Sequence, residues 1–371
     1  MDIKLRNRSF QDQNQTYQAM LKEIAYAYPG GDVIDTVTNE VQLDRFIMQY
    51  EETDWQFVKR LASLFNAGLV PSYKIDHVGP RYFFGLPKGK DRGDLTEYNY
   101  TLVKEITGYL RERANGNPDL GSLDKLYYQV ASEKFFNIGD SVNYRGHKLY
   151  IQETVTQIEK AVVVNHYKLS TAQGCSRATF YNDRIIGLSL PGTVIQTAGD
   201  QVKLHLNIDG SQDPATAHFF KHSTMYTASG NSGLYCMPEL GDTVYLYCPT
   251  AKEWEAVTQN SVRSQSNPSD KISDPNIKYW RTRYGKEIKL APEEILITCV
   301  DDQNYIKLNQ TGGIEIYSTQ PIKITTANNL TIEASKSIVL NAADKIEINC
   351  QDSSIQMDGN ITMQGKELRH N

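Results

Sequence analysis

Ile306-Lys307-Leu308, Ile314-Glu315-Ile316, Ile322-Lys323-Ile324, Leu330-Thr331-Ile332, Ile338-Val339-Leu340 and Ile346-Glu347-Ile348 repeat one pattern six times, each copy starting eight residues after the last. The period then loosens to Ile355/Met357 and Ile361/Met363, and Ile288/Leu290 and Ile295/Ile297 form an irregular lead-in. Between the pairs stand almost only Thr, Ser, Asn, Asp, Gln, Glu, Lys, Ala and Gly. Apolar side chains at i and i+2 share one face of an extended strand, so each octad reads as a short strand plus a polar corner. A fixed period of this kind marks an elongated repeat architecture. One such ladder alone buries little and leaves its strand edges open. Three identical chains wound about one axis bury the pairs together and give every strand neighbours. A one-chain solenoid with three octads per turn is the competitor, but the perfect repeat would then make only about two turns, short of the three or so repeats such arrays need. Residues 287–364 are therefore expected to form an intertwined triple-stranded β-helix in a homotrimer. Its core is Ile306, Leu308, Ile314, Ile316, Ile322, Ile324, Leu330, Ile332, Ile338, Leu340, Ile346 and Ile348, and 365–371 is a tail.

Upstream, residues 264–286 are rich in Ser, Asn, Pro, Asp and Lys and read as a polar linker. Residues 187–263 carry only short strands. Gly192-Thr193-Val194-Ile195-Gln196 and Gln201-Val202-Lys203-Leu204-His205-Leu206 flank a Gly199-Asp200 turn. Gly233-Leu234-Tyr235-Cys236, Thr243-Val244-Tyr245-Leu246-Tyr247 and Glu253-Trp254-Glu255-Ala256-Val257 follow. About five strands in so short a span suit a small barrel of the OB type.

Residues 1–186 mix helix and strand, with strand in excess. Tyr17, Met20, Leu21, Ile24 and Tyr28 fall on one helical face, and Pro29-Gly30-Gly31 ends that run. Thr53 with Gln56 three residues on is a capping-box signature, and Phe57, Val58, Leu61, Leu64 and Phe65 form the stripe behind it, with Gly68 as the stop. Phe46-Ile47-Met48-Gln49-Tyr50, Arg81-Tyr82-Phe83-Phe84, Lys148-Leu149-Tyr150-Ile151 and Ala161-Val162-Val163-Val164 read as strands. The whole is mainly β with an α+β N-terminal part.

A chain of 371 residues, 40% apolar and 22% charged, has the balance of a folded protein and room for two or three domains. A formal net charge of -5 gives no electrostatic case for a nucleic-acid partner. No run of eighteen apolar residues exists to span a bilayer as a helix, and the start Met1-Asp2-Ile3-Lys4-Leu5-Arg6 lacks the apolar stretch of a secretory signal, so synthesis and folding in the cytoplasm are expected. The five cysteines, an odd number without CxxC spacing, read as reduced thiols. Tyr, at 23 residues against 3 Trp, leans the chain further toward strand.

In this order the parts resemble the hub-spike proteins of contractile injection systems: the valine-glycine repeat protein G (VgrG) of type VI secretion and the hub and spike proteins of contractile phage tails. Phe46-Ile47-Met48-Gln49-Tyr50-Glu51-Glu52-Thr53-Asp54-Trp55-Gln56-Phe57-Val58-Lys59-Arg60-Leu61-Ala62 is very similar to the hub signature of that family. Arg8-Ser9-Phe10-Gln11 leading to Thr16-Tyr17 also matches, as do the barrel turn Met237-Pro238-Glu239-Leu240-Gly241-Asp242-Thr243-Val244 and its exit Ser261-Val262-Arg263. Family hubs carry a further barrel half upstream of the segment that begins here, so 1–186 is expected to lack it. Some phage relatives insert a lysozyme domain where only the linker stands. The resemblance implies a structural, membrane-puncturing spike that joins tail tube and baseplate proteins to a tip, delivers effectors and is expelled into a target cell envelope. Relatives with their own metal tip carry a His-x-His pair; the end here, Gln364-Gly365-Lys366-Glu367-Leu368-Arg369-His370-Asn371, has one His. A blunt last layer at Ile361 and Met363 is expected to dock a small tip protein of the proline-alanine-alanine-arginine (PAAR) type.

No catalytic residue, cofactor or metal is assigned. His218-Phe219-Phe220-Lys221-His222 has the histidine spacing of a zinc-protease helix but lacks the Glu and lies in strand or loop surroundings. Glu293-Glu294 and Asp301-Asp302 read as solvated corners, and Cys175 as a free thiol without a His partner. No GxSxG, P-loop or Rossmann pattern occurs. The alternative is a trimeric phage tail-spike enzyme or adhesin acting on surface polysaccharide, which needs a broad body with a carboxylate-lined groove.

Overall fold

The computed structural model describes residues 1–72, 78–227, 232–263, 271–301 and 303–357. They divide into two compact units, Met1–Ser266 and Asn267–Asn371. The tail and the expected docking residues Ile361 and Met363 lie outside the described residues, as do Asp302 and the first part of the linker.

In the first unit the strand Leu5–Phe10 runs antiparallel to Ile47–Thr53. Between them lies the helix Tyr17–Tyr26, whose N-cap Thr16 accepts the Ala19 N–H at 3.1 Å. Its inward face is Tyr17, Met20, Leu21, Ile24 and Ala25. Tyr28 falls beyond the helix and donates its hydroxyl to buried Asp54 at 2.6 Å, a polar role that an apolar-stripe count misses. The second helix is Asp54–Leu64, with both halves of the Thr53/Gln56 capping box formed. It ends before Gly68, because Asn66 takes the left-handed backbone (φ 51) that stops a helix. A third helix, Ile106–Ala114, went unread: its Ile106, Tyr109 and Leu110 make only a one-turn apolar set, and Glu112 is its one buried residue.

Strand alternation knits this layer to the barrel. Ile47 packs with Phe57, Val58 and Leu61 in the N-terminal core, while Phe46 and Met48 pack among Val194, Val202, Leu204, Phe220 and Leu246 of the barrel. Arg60, at 1% exposure, adds a polar tie. Its guanidinium donates to both carboxylate oxygens of Glu52 (2.9 and 2.8 Å), to the Met48 carbonyl (2.8 Å) and to Glu253 of the barrel segment (2.8 Å).

The barrel is closed. Its five strands run in the order Ser189–Ala198, Gln201–Leu206, Phe219–Ser223, Val257–Val262 and Thr243–Tyr247, back to the first. All pairings are antiparallel except that of Phe219–Ser223 with Val257–Val262. Two sequence expectations change here. Gly233–Leu234 pairs with Tyr226–Thr227 outside the barrel, and the third barrel strand is Phe219–Ser223. Glu253–Glu255 is a 3-10 turn rather than a strand, because Glu253 points inward to Arg60.

A further layer is a six-stranded sheet in the order Asp91–Asp94, Ser141–Tyr144, His147–Glu159, Val162–Ser170, Leu126–Ser132 and Tyr100–Lys104. Buried Asp140 clamps its rim, accepting the backbone N–H groups of Lys90 (2.7 Å) and Asn137 (3.0 Å) and the Arg92 Nε (2.7 Å). Burial alone would raise its pKa, but these donors outweigh it and hold the carboxyl below its ordinary value. A depressed folded-state pKa contributes stability that is full above the ordinary carboxylate range and lost as pH falls through the depressed value. Asp140→Asn should therefore lower the melting temperature at neutral pH and lose that part of the acid dependence, as read from melts between pH 7 and 3.

The second unit opens with an antiparallel meander: Lys278–Arg281, Glu287–Leu290, Glu294–Val300, Asn304–Asn309 and Gly313–Ser318. Its first strand lies in the stretch that composition marks as linker. Residues 319–345 follow without in-chain strand pairing, and the hairpin Ile346–Cys350 with Ser353–Met357 ends the described chain.

Candidate assembly surface

The register of the meander sorts its side chains onto two unlike faces. Trp280, Ile288, Ile297, Ile306 and Ile316 stand opposite one another across the five strands. Leu290, Ile295, Leu308 and Ile314 form the next row. Both rows lie on one face, and it is bare: Ile314 is 73% and Trp280 57% exposed.

The opposite face is the ion-paired one. Glu287, only 4% exposed, receives Arg281 at 2.6 Å and Lys271 at 3.2 Å. Arg281 also holds Asp301 at 2.8 Å, Lys289 pairs with Glu294 at 2.9 Å, and Lys307 with Glu315 at 3.2 Å. The hydrogen bond from Arg281 draws the Asp301 carboxyl below its usual value, and that from Lys289 does the same for Glu294. These corner carboxylates, read from the sequence as merely solvated, are thus bound into ion pairs. A sheet with its charges paired on one face and its isoleucines in water on the other buries neither face well, unlike a self-sufficient fold. Contiguous apolar area of this kind marks an interaction surface.

The octads continue the theme along the chain. Turns or bends fall at 311–312, 319–320, 327–328, 335–336, 343–344 and 351–352, each eight residues after the last and in phase with the apolar pairs. The sequence treats the six octads alike; the structure divides them. Ile306/Leu308 face Ile316/Ile314 within the chain, and Ile346/Ile348 face Met357/Ile355. At 309–313 the reversal is built in: Asn309 Oδ1 accepts the N–H groups of Thr311 (3.1 Å) and Gly312 (2.8 Å), and Gly313 takes φ 76, which suits glycine. Past 320, Pro321 removes a ladder donor. Ile322, Ile324, Leu330, Ile332, Ile338 and Leu340 are then all exposed, on backbone without an in-chain strand partner among the described residues.

The sequence reading missed Trp280. Its signal was the alternation in Lys278-Tyr279-Trp280-Arg281, hidden by polar neighbours.

Other chemically suggestive residues have ordinary partners. His218 meets the Gln13 amide at 3.0 Å and lies tilted beside Phe46 and edge-to-face with Phe220; His222 meets Thr258 Oγ1 at 2.9 Å. Burial lowers the pKa of both rings. Burial pushes the Cys175 thiol up to about 11, the opposite of nucleophile activation. Among the described residues no group of three or more His, Cys, Asp or Glu side chains is placed to hold a metal ion, and Cys175, Cys236, Cys248 and Cys299 are free thiols.

No protein family matches the chain by sequence, and no curated protein does. Among solved structures, the half-lidded Francisella PdpA-VgrG complex is similar over 83% of this chain and 69% of that one, with a TM-score of 0.44 and 10% identity. The lidless PdpA-VgrG complex is similar over 84% of this chain and 77% of that one, with a TM-score of 0.45 and 9% identity, a distant likeness of fold.

Proposed function

We propose that this chain is a structural hub-and-spike subunit of a contractile injection machine, and that it works as a homotrimer held through the bare face and octads of its second unit. The observation that carries this is the sheet with a bare apolar face followed by corners at every eighth residue, which leaves rows of Ile and Leu in water unless other copies cover them. Burying each such side chain returns about 1.5–3 kcal/mol, and strand pairing between chains satisfies the open backbone edges. Three copies about an axis satisfy both needs at once.

The first unit then serves as the attachment module. Its strand order and the one parallel closure fit an OB-type barrel, and the Arg60 bonds to Glu52 and Glu253 tie the Phe46 to Ala62 segment to the barrel. The work is mechanical: a stiff shaft with an apolar axis and a soluble exterior, driven into a target envelope, with tail tube and baseplate proteins at the base and a PAAR-type protein or effectors at the tip. No catalytic step is assigned to the chain.

Light scattering on the purified full chain tests this. The expected molar mass is three times the 42.0 kDa of one chain. A single-chain mass in dilute native buffer, or a stable dimer, would overturn it.

A further inference from the structure

Two open strand ladders of the first unit play no part in the spike reading. The strand Tyr100–Lys104 is an edge of the six-stranded sheet: it pairs with Leu126–Ser132 on one side, and no strand among the described residues lies on the other. Such an edge is ordinarily blunted by a proline, a bulge or an inward charge. This one reads Tyr100-Thr101-Leu102-Val103-Lys104 and keeps its register without a shift. Tyr100 and Leu102 stand on the core side, opposite Val130 and Tyr128, yet both are half-exposed. Ile106 and Leu110, one turn apart on the helix that follows, are bare as well.

The second ladder is the hairpin of His147–Glu159 with Val162–Ser170, which outruns the sheet. Ser141–Tyr144 flanks it only at 147–150, and Leu126–Ser132 only at 165–169. Beyond those points, among the described residues, 156–159 and 162–164 have only each other as strand neighbours. Ile158 and Val163 prolong the face on which Asn165 and Tyr167 are buried, and Ile158 is 77% exposed. Val155 and Val162 are exposed on the reverse face. Lys160 and Ala161 hold the turn at φ 47 and 67, left-handed backbone that such a turn ordinarily gives to Asn-Gly. A two-stranded ribbon is marginal in water, so this tip gains much from a neighbour.

We propose that the hairpin tip of one copy docks on the Tyr100–Lys104 edge of a second copy, so that the six-stranded sheet continues from chain to chain. This rests on the trimer proposed above, and symmetry selects the occupant. A threefold rotation never sets a patch against itself; the ring closes only through two unlike patches, each offered to a different neighbour. The first unit presents such a pair: free backbone donors and acceptors on both, flanked by bare Tyr and Leu on one and by bare Ile and Val on the other. Joining them satisfies both ladders and covers both apolar flanks. Chains already held through their second units meet at high effective concentration, so a contact of few residues suffices to close the ring.

Cysteine crosslinking of the full chain tests this contact, with Leu102→Cys and Ile158→Cys, both at exposed positions, and a flexible bismaleimide. The double variant is expected to give covalent dimer and trimer on a denaturing gel, above the background that the native thiols give in the unaltered chain. Each single variant alone should give no band beyond that background, and the two single variants co-expressed should add dimer only. Light scattering before crosslinking reads the assembly independently. A trimer mass without added bands in the double variant would overturn this contact and leave the trimer standing, whereas a single-chain mass would overturn both. Added dimer in the Ile158→Cys chain alone would mean that tip meets tip, and would overturn the contact too.

Discussion

Ile322→Asp or Ile324→Asp is expected to dissociate the assembly to single chains of 42.0 kDa while the first unit stays folded. The effect is large because of a contrast. In one chain these residues are 60% and 72% exposed, and a polar substitution at such a site ordinarily costs within about half a kcal/mol. In a threefold shaft the same change sets three carboxylates near one axis, away from water, at several kcal/mol each unless they take up protons. Light scattering separates the cases, and the first unit's melting transition serves as the folding control. An unchanged trimer mass for the double variant would show that these octads do not face inward. Partial reassembly at low pH, where the new carboxyls are neutral, is the accompanying expectation.

Arg60→Met should destabilise the first unit by about 3–5 kcal/mol, the usual cost of removing one partner from a buried ion pair. The substitution keeps the apolar stem and removes the charge. Glu52 and Glu253 are then left facing each other in the seam between helix and barrel, without the cation that both now share. For a unit of this size the melting temperature should fall by roughly 10 °C. Adding Glu52→Gln and Glu253→Gln should restore much of the loss. A drop below 1 kcal/mol in the single variant would mean that the Phe46 to Ala62 segment and the barrel are held by apolar packing alone.

The local rules were legible where one residue type settles the matter. Thr53 and Gln56 announce the helix that follows, because the capping box is satisfied within four residues. Pro29-Gly30-Gly31 ends the first helical run, and Asp200 with Gly199 makes the first barrel hairpin. The octad period was legible too, since the alternation of Ile and Leu with polar residues sets the phase and each corner falls where the polar residues cluster. Ile106–Ala114, by contrast, gave only Ile106, Tyr109 and Leu110 over a single turn, too short a set to mark a helix, and Thr107 and Gly108 within it are poor helix formers.

The sequence by itself determined the spacing of the apolar pairs, their shared face and the small-barrel composition, all properties of neighbours a few residues apart. Only the tertiary structure decided that Glu253 turns inward to Arg60, that Phe219–Ser223 closes the barrel in parallel with Val257–Val262, and that Trp280 joins the apolar rows. It also decided which octads pair within the chain and which stand open. Those outcomes depend on contacts between residues far apart in sequence, such as the 193 positions that separate Arg60 from Glu253. Identical apolar pairs carry no local mark of their partner, so Ile306 and Ile322 look alike until the reversal at Asn309 and Gly313 folds one of them back.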